Sequence, residues 1–207
     1  QQVQIGVFGG TFDPIHTGHL AVAHAALRRF RLDCIYFVPS GLPPHKSPDR
    51  LTPYLHRYTM VALGCADNPR FVPSLLEAGR DLAGRSRSYS VDTVRRLRRR
   101  WPNARLYFTL GADQFLTLPT WKKYRTLVKL CDLIVAARPG FRLRARRTTR
   151  IVSQLPAGAR IHWLTTVHAD ISATTVRRRA RRGLPLRNLV PLAVEAYIRS
   201  AGLYSRS

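Results

Sequence analysis

Acidic residues are scarce in this chain: eleven aspartates and glutamates face 35 lysines and arginines, a formal net charge of +24. Lysine is scarce too, occurring only at Lys46, Lys122, Lys123 and Lys129, so the excess is arginine. A charge of this size attracts nucleic acid and anionic metabolites without selectivity. Nothing organises it into a recognition element. The arginine clusters at 95–100, 142–150 and 177–182 lack interleaved aromatics, which single-strand binders use, and no zinc or RNP-like motif occurs. A compositional bias toward arginine accounts for the charge, and no specific nucleic-acid partner is expected. Cysteine is limited to Cys34, Cys65 and Cys131, odd in number, far apart and in apolar contexts. That excludes a disulfide framework and metal-ligand spacing, and reads as reduced core thiols in a cytoplasmic protein with no metal site of its own. No apolar run approaches the roughly 18 residues of a membrane span, so no membrane partner is expected. The chain enters an apolar run at Val3, so no signal peptide is expected, and a start at Gln1 rather than Met points to trimming. Internal repeats and low-complexity linkers are absent. With 207 residues, 45% of them hydrophobic, a single domain over 1–207 with a sizeable core follows.

What the chain does have is concentrated near its beginning. The run Val3 to Phe8 reads as a buried parallel strand. Leu20 to Phe30 carries apolar residues at 20, 23, 26, 27 and 30 and reads as an amphipathic helix. Between them lies Gly9-Gly10-Thr11-Phe12-Asp13-Pro14-Ile15-His16-Thr17-Gly18-His19. This stretch fits neither G-x-G-x-x-G nor G-x-x-x-x-G-K-[ST]. Glycines at a strand-to-helix junction still let the backbone approach a ligand, and the helix start offers N–H groups to an anion. Gly18 is expected to turn the chain into the helix, bringing His16 and His19 to one point. Asp13 before Pro14 orders the loop as a turn. The spacing H-x-G-H after G-G-T-F-D-P resembles the signature of the nucleotidylyltransferase superfamily.

Strand and helix signals then alternate. Cys34 to Val38 reads as a strand, followed by a proline-rich loop through Pro43-Pro44-His45-Lys46. A helix over Pro53 to Cys65, a strand over Arg70 to Leu76 and a helix capped by Ser90 come next, the last with Val91, Val94, Leu97 and Trp101 on one face. Strands at Arg105 to Leu110, Leu133 to Ala137 and Ile161 to Leu164 follow, with a basic helix over Arg142 to Leu155. Ser172 caps a helix closed by Gly183, and Pro191 opens the last helix, whose buried stripe is Val194, Tyr197, Ile198 and Ala201. This alternation predicts an α/β fold with a doubly wound parallel sheet. The unusual loops all follow strands, so they should converge on one crevice at the strands' carboxyl ends. The section 172–207 forms a C-terminal helical part.

Several blocks together are more specific. They are Phe37-Val38-Pro39-Ser40-Gly41-Leu42-Pro43-Pro44-His45-Lys46, Ser88-Tyr89-Ser90-Val91-Asp92-Thr93, Leu110-Gly111-Ala112-Asp113 with Trp121, Ile171-Ser172-Ala173-Thr174-Thr175-Val176-Arg177, and the tail Tyr197-Ile198 with Gly202-Leu203-Tyr204. With the histidine block they resemble the bacterial nicotinate-nucleotide adenylyltransferases nearly end to end. Ser90 stands where that family usually has Thr, and Gly84 where a basic residue is expected. The resemblance implies a Rossmann-like nucleotidylyltransferase fold. It also implies attack by the phosphate of nicotinate mononucleotide on the α-phosphorus of ATP, with Mg²⁺ supplied alongside ATP and not held by a dedicated protein site. His16, His19 and Lys46 would be catalytic. Gly9, Gly10, Thr11, Phe12, Arg138, Ile171, Ser172, Thr174 and Arg177 would bind ATP. Thr11, His45, Lys46, Tyr89, Ser90, Gly111, Asp113 and Trp121 would bind the mononucleotide. Taken singly, Asp113 reads equally as a helix cap and Trp121 as core, while the arginines beside Arg177 read as a solvated face. His24, His56, His162 and His168 read as structural. A related acceptor such as nicotinamide mononucleotide, phosphopantetheine or glycerol phosphate is the alternative substrate class, and a basic nucleic-acid binder the alternative function. Oligomeric state is left open.

Overall fold

The computed structural model describes residues 2–42, 51–79, 87–137, 146–165 and 171–205. Strand β1 (Gln4–Gly10) is buried on both faces, as its unbroken apolar run requires. Ile5 and Val7 join a core cluster with Val94, Leu97 and Leu106, whereas Phe8 joins the opposite cluster with Ala23, Leu27 and Phe37. Gly6 faces the same side as Phe8, and a Cβ there would stand 2.9 Å from both Ile35 and Leu32. Only glycine lets the backbone come this close.

Strands β2 (Cys34–Pro39), β3 (Phe71–Pro73), β4 (Arg105–Gly111), β5 (Asp132–Ala136) and β6 (Ile161–Leu164) complete a six-stranded sheet in the order β3-β2-β1-β4-β5-β6. Every pairing is parallel. The chain steps outward from β1 through β2 and β3, then returns to place β4 on the other side of β1. Strand order therefore reverses between β1 and β4, and the crevice at their carboxyl ends is where such sheets bind ligands. Helices α1 (Thr17–Arg29) and α2 (Tyr54–Cys65) cover one face, and α3 (Ser90–Arg100) covers the other. Beyond β4 come α4 (Ala112–Phe115), a 3₁₀ turn over Leu118–Thr120, α5 (Tyr124–Leu130) and α6 (Arg146–Ser153), all on the α3 side. Helices α7 (Ala173–Arg181) and α8 (Leu192–Ser200) return to the α1 side, where Val176, Val194 and Ile198 enter the same cluster as Ala23 and Leu27. Thr17 anchors this C-terminal part, its N–H donating to Leu189 O at 2.9 Å and its hydroxyl to Asn188 O at 2.9 Å.

The doubly wound α/β sheet is the fold that the alternating pattern predicts. Local differences have local causes. β3 covers only three residues at the sheet edge, where Pro73 is tolerated because its nitrogen faces away from β2, and Ser74 donates the last bond, to Phe37 O at 2.9 Å. Helix α3 starts one residue early, with Tyr89 rather than Ser90 at the cap position and no side-chain cap bond. Gly18 lies inside the first turn of α1 rather than at a bend before it. Helix α6 ends at Ser153, two residues before the expected Leu155; its expected start at 142–145 lies outside the described residues. Ala201 is exposed just past α8 rather than in its buried stripe.

Candidate active site

Helix α1 begins with two histidines in reciprocal roles. His16 holds the N-cap position in extended conformation and its Nδ1 accepts the N–H of His19 at 3.3 Å. His19 Nδ1 in turn accepts the N–H of His16 at 3.2 Å. This is a capping box built from imidazoles instead of hydroxyl and carboxylate. A neutral imidazole carries one N–H, so an accepting Nδ1 leaves the proton on Nε2, across the ring. The rings stack with centroids 3.6 Å apart and planes 21° off parallel. Burial first, and the neighbouring His16 second, hold His19 well below the usual imidazole pKa. Its Nε2 is thus a neutral donor at physiological pH.

The loop before these histidines is braced from beneath. Asp13 is 5% exposed; its carboxylate accepts the N–H of Thr52 at 3.2 Å and the hydroxyl of Tyr204 at 2.6 Å. Arg177 of α7 donates to the Asp13 carbonyl at 2.6 Å. Arg57 of α2 is 2% exposed. Its guanidinium donates to the carbonyls of Thr11 and Ser40, both at 2.8 Å, Thr52 at 2.9 Å and Gly41 at 3.2 Å. One buried cation thus joins the loops that follow β1 and β2. Burial pulls its pKa down and Asp13 pulls it partly back.

A cavity of about 480 Å³ opens beside this loop. Gly9, Gly10 and Thr11 line it together with Tyr89, Ser90 and Trp121. Trp121 is half-buried and meets Phe108 edge-on at 6.3 Å. Glu77 also lines the cavity, with one carboxylate oxygen accepting the Thr93 hydroxyl and the other the Gly41 N–H at 3.3 Å. Near α7, Ser172 caps the helix by accepting the Thr175 N–H at 3.2 Å, and Thr174 accepts from Arg177 at 3.3 Å. Among the described residues no group of three His, Cys, Asp or Glu side chains could hold a metal ion.

A family model described as cytidylyltransferase-like matches residues 7–179. Three similar proteins are each named "probable nicotinate-nucleotide adenylyltransferase". The one from Moorella thermoacetica is 44% identical, covering 97% of this chain and 91% of its own length. The Geobacter sulfurreducens protein is 38% identical over 98% and 99% of the two chains, and one from Thermus thermophilus is 40% identical over 98% and 100%. The chain belongs to the nicotinate-nucleotide adenylyltransferase family. In fold it is similar to the Plasmodium falciparum nicotinic acid mononucleotide adenylyltransferase. The structure of that protein complexed with NaAD superposes with TM-score 0.78 at 21% identity, and the one with APC with TM-score 0.77 at 19%, each covering 98% of both chains.

For a member of this family the expected site residues divide clearly. Gly9, Gly10, Thr11, Tyr89, Ser90 and Trp121 share the cavity wall, and His16, His19 and Arg177 surround the same loop. Phe12 is only 2% exposed and packs edge-on beneath His19 at 5.0 Å, so any ligand contact it makes falls to its backbone. Ile171 is half-buried against the α1-side core. Gly111 caps α4, and Asp113 is exposed in its first turn, outside the cavity lining. Gln114 lines the cavity from that helix instead, and its amide oxygen accepts the Gly111 N–H at 3.0 Å. His45, Lys46, Arg138 and Gly84 lie outside the described residues, as does His168. Of the other histidines, His56 Nδ1 pairs with the Tyr197 hydroxyl at 2.8 Å and His162 with Asp132 at 2.9 Å. Sequence reasoning missed Arg57, Glu77 and Lys122. No motif marks them, and their roles arise from which loops they meet.

Proposed function

We infer that the protein transfers AMP from ATP to nicotinate mononucleotide, giving nicotinate adenine dinucleotide and pyrophosphate in NAD biosynthesis. The observation that carries this reading is one cavity lined both by Gly9, Gly10 and Thr11 and by the aromatic rings of Tyr89 and Trp121. A phosphate against the glycine backbone and a flat pyridine ring against the aromatics match those two chemistries. A phosphate oxygen of the mononucleotide attacks the α-phosphorus of ATP, the new O–P bond forms, and the bond to the bridging oxygen of pyrophosphate breaks. No side-chain nucleophile is needed. Proximity of two anionic reactants and stabilisation of developing charge carry the rate. The Nε2–H groups of His16 and His19 would donate to ATP phosphate oxygens, more strongly as charge develops. Ser172, Thr174 and Arg177 would hold the β- and γ-phosphates beside the start of α7, where the helix dipole favours anions. Lys46, His45 and Arg138 are assigned to the phosphates by resemblance alone, as are Gly111 and Asp113 to the mononucleotide. Mg²⁺ enters as part of the substrate MgATP, bridging phosphate oxygens.

The free thiols of Cys34, Cys65 and Cys131 support a cytoplasmic setting. Burial pushes the Cys65 thiol up to about 12. Among the described residues no helix is long and apolar enough to cross a membrane. The test is pyrophosphate release by the purified, folded protein. It should require ATP, nicotinate mononucleotide and Mg²⁺ together, and no release with all three present would refute the reading. Faster turnover with phosphopantetheine or glycerol phosphate would move the protein to another acceptor class.

A further inference from the structure

Glu77 and Lys122 are the only charged side chains that line the cavity among the described residues. Glu77 is held in place, since both its oxygens already accept bonds from Thr93 and Gly41. A cavity holding a committed carboxylate disfavours an anionic ligand unless a cation offsets it. Lys122 supplies that cation. Its Nζ stands 4.0 Å from the centroid of the Tyr89 ring, and it directly follows Trp121, so it lies beside the aromatic residues of the cavity lining. None of the ion pairs among the described residues involves it. An ammonium has three donors and no acceptor. It therefore suits a ring carboxylate and offers nothing to the NH₂ of a carboxamide.

We propose that Lys122 is a specificity-determining residue, selecting a pyridine nucleotide with a ring carboxylate over its amide. This deepens the reading of the cavity as the mononucleotide site and rests on it. Backbone N–H groups at the start of α3, where Tyr89 gives no side-chain cap, would bind the carboxylate from one side. Lys122 would add the opposing charge from the other. Because Lys122 is exposed, the contribution is screened by salt and modest in size.

The test measures kcat/KM for nicotinate and nicotinamide mononucleotides at saturating MgATP in wild type, Lys122→Met, Lys122→Arg and Lys129→Met. Lys129 is an exposed lysine outside the cavity lining and controls for net charge. Lys122→Met should lower the acid's kcat/KM about fivefold or more, mainly through KM, and move the amide's far less. Lys122→Arg should keep most of the acid preference, and Lys129→Met all of it. Added salt should weaken acid use in wild type more than in Lys122→Met. Parallel losses for acid and amide would mean that Lys122 only supports Tyr89, and would overturn the proposal, as would an unchanged acid value. A wild type that prefers the acid, with a variant that prefers it equally, removes Lys122 alone. A wild type that uses both equally removes the nicotinate reading of the cavity as well.

Discussion

Replacing Arg57 with methionine tests whether the buried brace sets the geometry of the site. The substitution keeps an unbranched apolar stem and removes the guanidinium that donates to four carbonyls, at 2.8, 2.8, 2.9 and 3.2 Å. Each orphaned carbonyl in a dry setting costs about 1–3 kcal/mol, and the four are not additive. Against this, the variant no longer buries a cation, which offsets part of the loss. The net destabilisation should be about 3–5 kcal/mol, out of a typical total of about 5–15 kcal/mol. For a chain of this size that is a fall in Tm of about 6–20 °C. Activity should fall further than stability requires, because the freed carbonyls belong to the loops bearing Thr11 and Ser40, and a displacement near 1 Å can cost about 100-fold. Thermal unfolding by circular dichroism and pyrophosphate release well below the variant's Tm separate the two effects. Arg57→Lys should be intermediate, since an ammonium cannot reach four carbonyls from one position. A Tm within about 3 °C of wild type, with kcat unchanged, would refute the brace.

His19→Ala should lower kcat about 10²–10³-fold with little change in ATP affinity measured by equilibrium binding, as expected for a donor that matters most in the transition state; a loss confined to KM would make it a binding group only. The same residue sets an acid limb of stability. Its folded pKa lies below 6.5, so the unfolded chain takes up a proton first and stability falls as pH drops below about 6.5; His19→Gln should flatten that limb in urea titrations between pH 7 and 5. Trp121→Ala should raise the KM for the mononucleotide about tenfold through lost ring contact while leaving the KM for ATP unchanged; equal effects on both would return Trp121 to the core. Asp132 lies at the opposite end of β5 from the cavity, 5% exposed and bonded to Arg105 at 2.7 Å, Arg160 at 3.1 Å and His162 at 2.9 Å. Asp132→Asn should cost about 2–4 kcal/mol of stability with kcat/KM within about twofold of wild type, and a large kinetic loss would mean that the two ends of the sheet are coupled.

The sheet was legible because its strands are short apolar runs bounded by glycine and proline, which is how buried parallel strands read. The histidine loop was legible because chemistry ties its residues to a fixed spacing. The pieces between β4 and β5 were not. α4, the 3₁₀ turn and α5 cover four, three and seven residues, too few to show a helical period, yet they carry Gln114, Trp121 and Lys122 into the cavity wall. Arg57 was hidden for another reason. On α2 it sits between His56 and Tyr58 and resembles any solvated arginine, and only the folding of two distant loops over it makes it buried. The sequence offers Ser172 as both cap and phosphate ligand, and the structure holds the capping bond, with the Thr175 N–H at 3.2 Å. Phe12 sits within the motif, but its ring supports His19 from the core side, a division that spacing alone does not reveal.

The bond from Tyr204 to Asp13 links residues 191 positions apart. On the ribosome the N-terminal segment emerges first, so the histidine loop leaves the exit tunnel while its final brace is still untranslated. Arg177 arrives earlier, and Tyr204 follows 27 residues after it. A nascent chain can therefore assemble the sheet from β1 to β6 without completing the loop that bears His16 and His19. A nascent chain stalled before Tyr204 would lack this brace, whatever the state of its sheet.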